Sequence, residues 1–268
     1  MLNLLKVDIK RQFKDKLFLV CAIIGGALAI FSPVLYKLLF SGLGVDEFLD
    51  GFVSAKAQFF TAFSPANNFG LIAPILVSII LCKDFSYGTI RNKITSGKSR
   101  VSIFLSMFLS STLVMSVLMV AHALITLFVS LIFFDYQSEP FKASDIGYFM
   151  LSLLFELLVY VFISALISFF CVAMKNAGVS VVMYVAVNFL FSIIGSITMI
   201  AGMAVEPDST AYKVLEFLNN SNLFTSTMIG TGTSYELSQV FAVLVPTVLG
   251  SALFIFLGIW VFGKKDLK

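Results

Sequence analysis

Two ionisable side chains stand inside otherwise apolar stretches and could do chemistry there. They are His122, the only histidine, and Glu156. Charged groups within a bilayer are costly and often functional. At ~1.5 Å per residue, Glu156 lies about 14 Å and His122 about 18 Å from the outer ends of successive helices. Adjacent helices could therefore bring the two to one level, and our hypothesis is a His122–Glu156 pair with a proton-sensitive function. The alternative is a purely structural interior pair or two independently hydrogen-bonded groups.

Other polar groups in the apolar stretches suggest packing rather than catalysis. Asn188 could form a hydrogen bond with His122 across helices, which is a common stabilising contact in membranes. The three cysteines, Cys21, Cys82 and Cys171, are scattered and lack disulfide or metal-ligand spacing. We predict no catalytic residue, no metal site and no cofactor bound by this chain. A membrane enzyme is therefore the weakest of the functional hypotheses.

The composition indicates a membrane protein. Of 268 residues, 59% are hydrophobic and 12% are charged, and the mean hydropathy is +1.00. A soluble domain would carry about 25% charged residues. Spanning helices need ~20 apolar residues, and helices satisfy their own backbone groups in lipid. The sequence predicts an all-α membrane protein with a single transmembrane domain over 1–268 and six spans: Leu17–Phe40, Phe59–Cys82, Ser102–Phe134, Gly147–Met174, Gly178–Ala204 and Gln239–Phe262.

The first sixteen residues alternate apolar and basic side chains at helical spacing. Leu2, Leu5, Ile9 and Phe13 share one helical face. This pattern predicts an amphipathic interfacial helix over 1–16, although an ordinary positively charged flank is the alternative. The following span is too long for the core of a cleaved signal peptide, so we expect the segment to be retained.

Two further interruptions are expected. Pro65 and Pro74 should kink or break the second span. The outer segment 205–238 contains an amphipathic stretch, Ala211–Leu218, a second apolar stretch, Leu223–Ile229, and a flexible run over 230–234. It predicts one or two short helices at the outer interface, with a plain surface loop as the alternative.

The distribution of lysine and arginine predicts the orientation. Fourteen of them fall in alternate polar segments, against four in the segments between. Because basic residues stay on the cytoplasmic side, both termini are expected inside, in a multi-pass protein of the cytoplasmic membrane. The net charge of +3 does not suggest nucleic acid as a partner.

The polar segment Lys83–Arg100 is the most informative part of the sequence. Gly88 can open a turn, and the Thr89 hydroxyl could cap a short helix. Ile90 and Ile94 stand four residues apart as apolar anchors, and Gly97 can end the helix. The pattern predicts a short helix along the membrane surface that fills a groove in a cytoplasmic partner. A simple positively charged loop is the alternative.

A nucleotide-binding motif is incomplete in the same segment. Ser96-Gly97-Lys98-Ser99 contains the Gly-Lys-Ser end of a P-loop, but Asn92 occupies the place of the first glycine. No strand is predicted before it. We therefore do not expect this chain to bind ATP.

Asp84-Phe85-Ser86-Tyr87-Gly88-Thr89-Ile90-Arg91-Asn92, followed by Ser99-Arg100, resembles the bacterial type-2 ATP-binding-cassette (ABC) exporter permeases. The ending Phe262-Gly263-Lys264-Lys265-Asp266-Leu267, the basic start and the six spans are similar too, so the resemblance covers nearly the whole chain. The family pattern has Glu more often than Asp84, and a lysine where Ser106 and Met107 stand. These departures weaken any assignment to a substrate subfamily.

The resemblance implies a transport function. The loop between spans two and three would be the coupling helix that docks on an ATPase subunit, over 83–100. Two permease copies or paralogues would pair, two ATPase subunits would drive them, and a peptide, antibiotic, lipid-like molecule or ion would be exported. A self-sufficient secondary transporter is the alternative. The predicted coupling residues are Asp84, Tyr87, Gly88, Thr89, Ile90, Arg91, Asn92, Lys93, Ile94 and Arg100.

Overall fold

The structure, a computed structural model, describes residues 1–43, 54–65, 67–136, 143–207, 209–224 and 237–265. Within these ranges the chain is helical and contains no strand. The helices are α1 (Leu2–Phe13), α2 (Lys16–Leu43), α3 (Ala55–Phe63), α4 (Asn68–Ser86), α5 (Thr89–Thr95), α6 (Arg100–Phe133), α7 (Ala143–Met174), α8 (Ala177–Met203), α9 (Thr210–Ser221) and α10 (Leu237–Lys264).

Six helical segments are long and apolar enough to cross a membrane, which confirms the predicted class of multi-pass helical protein. Five of them are the single helices α2, α6, α7, α8 and α10. The remaining segment combines α3 and α4. The predicted span boundaries agree with these helices to within a few residues.

The second span is broken at Pro65, as the sequence predicts. α3 ends at Phe63 and α4 begins at Asn68, where the Asn67 side chain accepts a hydrogen bond from the Asn68 backbone N–H at 2.7 Å. By contrast, α4 continues through Pro74. The break divides the second span into two helices, and the polar side chains of Asn67 and Asn68 lie at the start of the second one.

The bundle is built around α6 and α7. α6 contacts α1, α2, α3, α4, α7 and α10, and α7 packs most extensively against α10. With 34 residues, α6 is about 51 Å long, which exceeds the thickness of the ~30 Å hydrocarbon core. Aromatic and aliphatic side chains of α7 fill the centre, including Phe155, Tyr160, Ile163, Leu166 and Ile167.

Large apolar side chains also cover the outside of the bundle. On α8 the exposed residues include Phe189, Leu190, Ile197, Ile200 and Met203. Comparable side chains are exposed on α2 and α10. Such a surface suits hydrocarbon rather than water, because a soluble protein rarely exposes large contiguous apolar patches.

The amphipathic helix predicted in the outer segment is present as α9. It contacts α8 and α10, and the Asn222 side chain that follows it donates a hydrogen bond to the Phe191 carbonyl at 2.6 Å. Leu223 and Phe224 are buried after it. The rest of the second predicted stretch and the run 230–234 lie outside the described residues.

Gly70 allows the chain to fold closely on itself at the break in the second span. A Cβ atom there would overlap the backbone oxygen of Ser64 and would lie 2.8 Å from Pro65 Cα. These are backbone atoms, which cannot rotate away as a side chain could. The break therefore depends on the absence of a side chain at residue 70.

We expect Gly70→Ala to lower the free energy of unfolding by about 1–3 kcal/mol because it overpacks a site bounded by backbone. Gly26→Ala is the matched control. No heavy atom lies within 4 Å of its added Cβ, and alanine favours helix by about 1 kcal/mol. Melting temperatures of the purified proteins in detergent measure both. An unchanged melting temperature for Gly70→Ala would contradict the close approach.

Candidate functional site

The predicted surface helix between spans two and three exists as α5, and glycines bound it at both ends. Gly88 has φ +68 and Gly97 has φ +81, both in the left-handed region that favours glycine. At the C-terminal end, the backbone N–H of Lys98 donates to the Lys93 carbonyl and that of Gly97 to the Ile94 carbonyl. This pair of bonds is a Schellman motif, which ends a helix cleanly.

The predicted cap at the start of α5 is wrong. Gly88 occupies the capping position and Thr89 is the first helical residue, with no side-chain capping bond. The left-handed Gly88 makes the turn by its backbone. Its own N–H donates to the Phe85 carbonyl, so α4 ends where α5 begins. The corner is therefore short, and it joins α5 directly to a spanning helix.

The apolar pair of α5 faces the chain's own bundle rather than a partner. Ile90 is 2% exposed within the hydrophobic core, and the half-buried Ile94 packs against that core. The prediction that this pair fills a groove in another protein has to be corrected accordingly. Its physical role is to seat α5 on the end of the bundle.

Four charges hold α5 to the neighbouring helices. The Lys93 ammonium lies 2.7 Å from Asp8 Oδ1 on α1 and 3.3 Å from Asp84 Oδ2 on α4, and Arg11 of α1 forms ion pairs with both aspartates. Asp8 is 1% and Asp84 3% exposed. We call Asp8, Arg11, Asp84 and Lys93 the four-charge cluster. Two acids and two bases balance its charge, as burial requires.

The four-charge cluster continues into α6 through polar contacts. Ser106 donates a hydrogen bond to Asp8 Oδ2 at 2.6 Å, and Gln12 Nε2 donates to the Ser110 hydroxyl at 2.8 Å. The buried face of α1 is thus Leu4, Asp8 and Gln12. The predicted apolar face lies on other sides of α1: Leu2 is 80% exposed, and Leu5, Ile9 and Phe13 are half-buried.

A second ion pair joins the start of α2 to the end of α4. The Lys83 ammonium lies 2.7 and 2.8 Å from the two Asp15 oxygens, and Asp15 also accepts from the Leu17 backbone N–H at 2.9 Å. Partial burial acts to raise the pKa of Asp15, but the bonds from Lys83 and Leu17 and the nearby cations outweigh it. The pKa therefore lies below its ordinary value of 3.8.

Two basic side chains close the same end of the bundle by capping helix C-termini. Arg100 Nη1 donates to the carbonyls of Phe262, Gly263 and Lys265 at 2.8–2.9 Å. The Lys265 ammonium donates to the Val172 and Ala173 carbonyls at the end of α7. Cations at C-terminal carbonyls also oppose the helix dipole favourably. Arg100, predicted as a coupling residue, therefore links α6 to α10.

The outward side of α5 carries the exposed part of the predicted set. Tyr87 is 75% exposed, and Arg91, Asn92, Thr95 and Ser96 are also exposed. We call Tyr87, Arg91, Asn92, Thr95 and Ser96 the outward face. Of the ten predicted coupling residues, Asp84, Ile90 and Lys93 hold α5 to the bundle. Tyr87, Arg91 and Asn92 are exposed and so are available to another molecule.

The three predicted intramembrane polar residues do not come together. His122 Nδ1 lies 2.8 Å from the Gly25 carbonyl, and its ring is 4.5 Å from that of Phe69. Glu156 is buried on α7 at 6% exposure, with no hydrogen bond or ion pair in the described part of the chain. The amide nitrogen of Asn188 has no partner there either. The expected His122–Glu156 and His122–Asn188 contacts are absent among the described residues.

Four residues of these contacts are not among the predicted site residues: Asp8, Gln12, Ser106 and Ser110. A signal for them existed: the two α1 residues are four apart, and so are the two serines of α6. Matching spacings of this kind on two helices are typical of a polar contact line. Among the described residues there is no group of three His, Cys, Asp or Glu side chains that could hold a metal ion.

The comparison with known families matches residues 20–268 to a family described as protein of unknown function (DUF2705). The chain belongs to this family. No curated protein matches it. The matched range contains α5 and the spans that flank it, whereas α1, which supplies Asp8 and Arg11 to the four-charge cluster, precedes the match.

We expect Asp84→Asn to lower the free energy of unfolding by about 3 kcal/mol, because it leaves two cations facing one buried carboxylate. The double variant Asp84→Asn, Lys93→Gln restores neutrality and should recover part of the loss. Melting temperatures of the four proteins of this cycle in detergent give the coupling. Lys98→Gln, an exposed lysine in the same segment, is the control. Additive effects of the two substitutions would contradict a shared cluster.

Proposed function

We propose that this chain is the permease subunit of an ABC transporter, in which α5 docks on a separate ATPase subunit. The observation that carries the proposal is the division of α5 into two sides. Its inward side is fixed to the bundle by Ile90 and Lys93, and its outward face offers an aromatic ring, a guanidinium and an amide. A helix that only turned the chain would need no such exposed set.

The proposed docking surface suits a protein partner. Tyrosine and arginine are the side chains most often found at the energetic centre of interfaces. The outward face has both, Tyr87 at the corner before α5 and Arg91 on α5, on a support that is already ordered. Ordering before binding lowers the entropic cost of association. The partner we propose is therefore a folded ATPase subunit with a groove that receives α5.

The contacts of α5 suggest how motion would pass into the membrane. α5 connects α4 and α6 through short corners, and Lys93 links it to Asp8 on α1 and Asp84 on α4. Arg100 joins the start of α6 to α10, and Lys265 joins the end of α10 to α7. A displacement of α5 would move these helix ends as one body. ATP binding and hydrolysis on the partner would bias two bundle arrangements.

In this proposal the chain provides the transport path and the ATPase provides the chemistry. ATP and Mg²⁺ would bind only to the ATPase subunits, two of which would serve a pair of permease chains. The large exposed apolar surface of α2, α8 and α10 can accommodate both lipid and a second permease. Export of a peptide, antibiotic, lipid-like molecule or ion is the expected task.

The broken second span is the one observation that favours a secondary transporter, whose binding sites form where helices are interrupted near the midplane. The position of the break argues against this alternative. α4 has 19 residues and is about 28 Å long, nearly a whole hydrocarbon core. The break at Ser64–Asn67 would therefore lie close to one surface, far from the midplane.

We expect the double variant Tyr87→Ala, Arg91→Glu to lose its ATPase subunit, because both changes fall on the outward face and neither touches the bundle. The tagged chain is purified from membranes of its own organism, and an ABC ATPase subunit is identified by mass spectrometry. We expect retention to fall at least about tenfold, with an unchanged melting temperature. Lys213→Glu, an exposed charge reversal on α9, is the control.

Full retention of the ATPase by the double variant would place docking elsewhere. If the unaltered chain retains no ABC ATPase, the permease proposal itself fails. Ile90→Asp is not a test of docking, because Ile90 is buried and its loss would unseat α5.

We expect the Ser96→Cys variant to react with a membrane-impermeant maleimide only after the cells are opened, because α5 should face the cytoplasm. The Lys213→Cys variant, on α9, should react in intact cells. Native Cys21, Cys82 and Cys171 are buried, so the background should be low. Labelling of the Ser96→Cys variant in intact cells would show that α5 faces the outside of the cell, and it would contradict the docking proposal.

A further inference from the structure

A cavity of about 370 Å³ lies between α2, α3, α4 and α6, on the side of the break in the second span. This volume falls at the lower end of the ~300–1,000 Å³ typical of small-molecule sites. It is separate from the four-charge cluster, which joins α1, α4, α5 and α6 at the other end of α4. The residues that matter to its chemistry are Leu28, Phe31, Gln58, Phe69, His122 and Thr126.

Gln58 is a polar side chain of the cavity wall, and the residue is 7% exposed. Its backbone N–H donates to the Ser54 carbonyl at 3.0 Å, while its side-chain amide belongs to the cavity lining. A ligand in the cavity could satisfy this group, because a side-chain amide offers both two donor hydrogens and an acceptor oxygen.

His122 and Thr126 add acceptors to the same cavity. The Gly25 carbonyl can only accept, so His122 Nδ1 must donate to it, and Nε2 of the neutral ring is left as an acceptor. The Thr126 hydroxyl donates to the His122 carbonyl at 3.0 Å, which leaves its oxygen free to accept. The Phe69 ring packs against the imidazole at a tilt of 35°, with the ring centroids 4.5 Å apart. The polar wall thus favours a ligand with hydroxyl or amide donors.

The rest of the wall combines apolar side chains with uncharged polar ones, and among the residues that line the cavity none carries a formal charge at neutral pH. The further polar residues are Ser32, Tyr36, Thr61, Asn67 and Asn68. An ionic ligand would lose its hydration there without a counter-charge, which is expensive. Phe31 and Leu39 of the rim are 60% and 54% exposed on the outer side of α2, where lipid would lie. A ligand dissolved in the membrane could therefore reach the cavity sideways.

We propose that this cavity binds an uncharged amphiphile, with a hydroxyl-bearing head at Gln58, His122 and Thr126 and an acyl chain along Leu28, Phe31 and Phe69. A monoacylglycerol has this chemistry. The proposal concerns binding by a single chain. It does not require the permease assignment, because binding can be measured without an ATPase.

The test uses the full chain in lipid nanodiscs and a monoacylglycerol that carries a diazirine in its acyl chain. We expect cross-links to concentrate on the cavity segments of α2 and α6, and unlabelled monoacylglycerol to compete. The same acyl chain on a glycerol phosphate should label these segments about tenfold less, because the cavity has no cation to receive the phosphate.

Gln58→Leu keeps the size of the side chain and removes its amide, so cavity labelling should fall about fivefold or more. Asn188→Leu, an intramembrane amide outside the cavity, is the matched control and should label as the unaltered chain does. Melting temperatures check that both variants fold. If Gln58→Leu does not fold, the comparison of the neutral and phosphate probes on the unaltered chain decides. Equal labelling by the two probes, or labelling spread over the whole lipid-facing surface, would overturn the proposal.

Discussion

Four charges buried at one end of the bundle must neutralise each other, and the arrangement of that end follows from this requirement. Asp8 and Asp84 are almost inaccessible to water, so each needs a cation within contact distance. Lys93 lies within ion-pair distance of both aspartates and so ties α5 to α1 and to the last turn of α4. The ion pairs thereby orient α5 as well as holding it, and Ile90 supplies the apolar contact beneath them.

These contacts explain how such a short surface helix can stay folded and transmit a force to the bundle. Seven residues cannot form a stable helix alone, because nucleation is unfavourable and few hydrogen bonds follow it. Tertiary contacts and the two glycine turns stabilise α5 instead. Since its anchors belong to α1 and α4, a force on the outward face would reach several spans without first unfolding the helix. Under the proposed function, this stiffness is what couples ATP hydrolysis to the bundle.

The two ends of α4 have different chemistry. One end carries balanced, interlocked charges, while the other borders a break with an uncharged polar cavity beside it. Both departures from a plain apolar bundle involve the second span, and both depend on polar groups withdrawn from lipid. A movement of α4 that begins at its charged end would also move one wall of the cavity. The proposed docking of α5 and the proposed ligand site would thus be linked through α4.

The sequence alone determined the helical membrane class, the number of apolar spans, the break at Pro65 and the existence of α5, because hydropathy, proline and glycine act locally along the chain. It left open which way the helices face. Whether Ile90 points to a partner or to the bundle, and whether α1 buries Leu5 or Asp8, depends on what the other helices present there. Serines on α6 and aspartates on α1 and α4 decided this in the tertiary structure. Equal depth on neighbouring helices likewise could not bring His122 to Glu156, because the rotation of each helix about its axis sets which side chains meet.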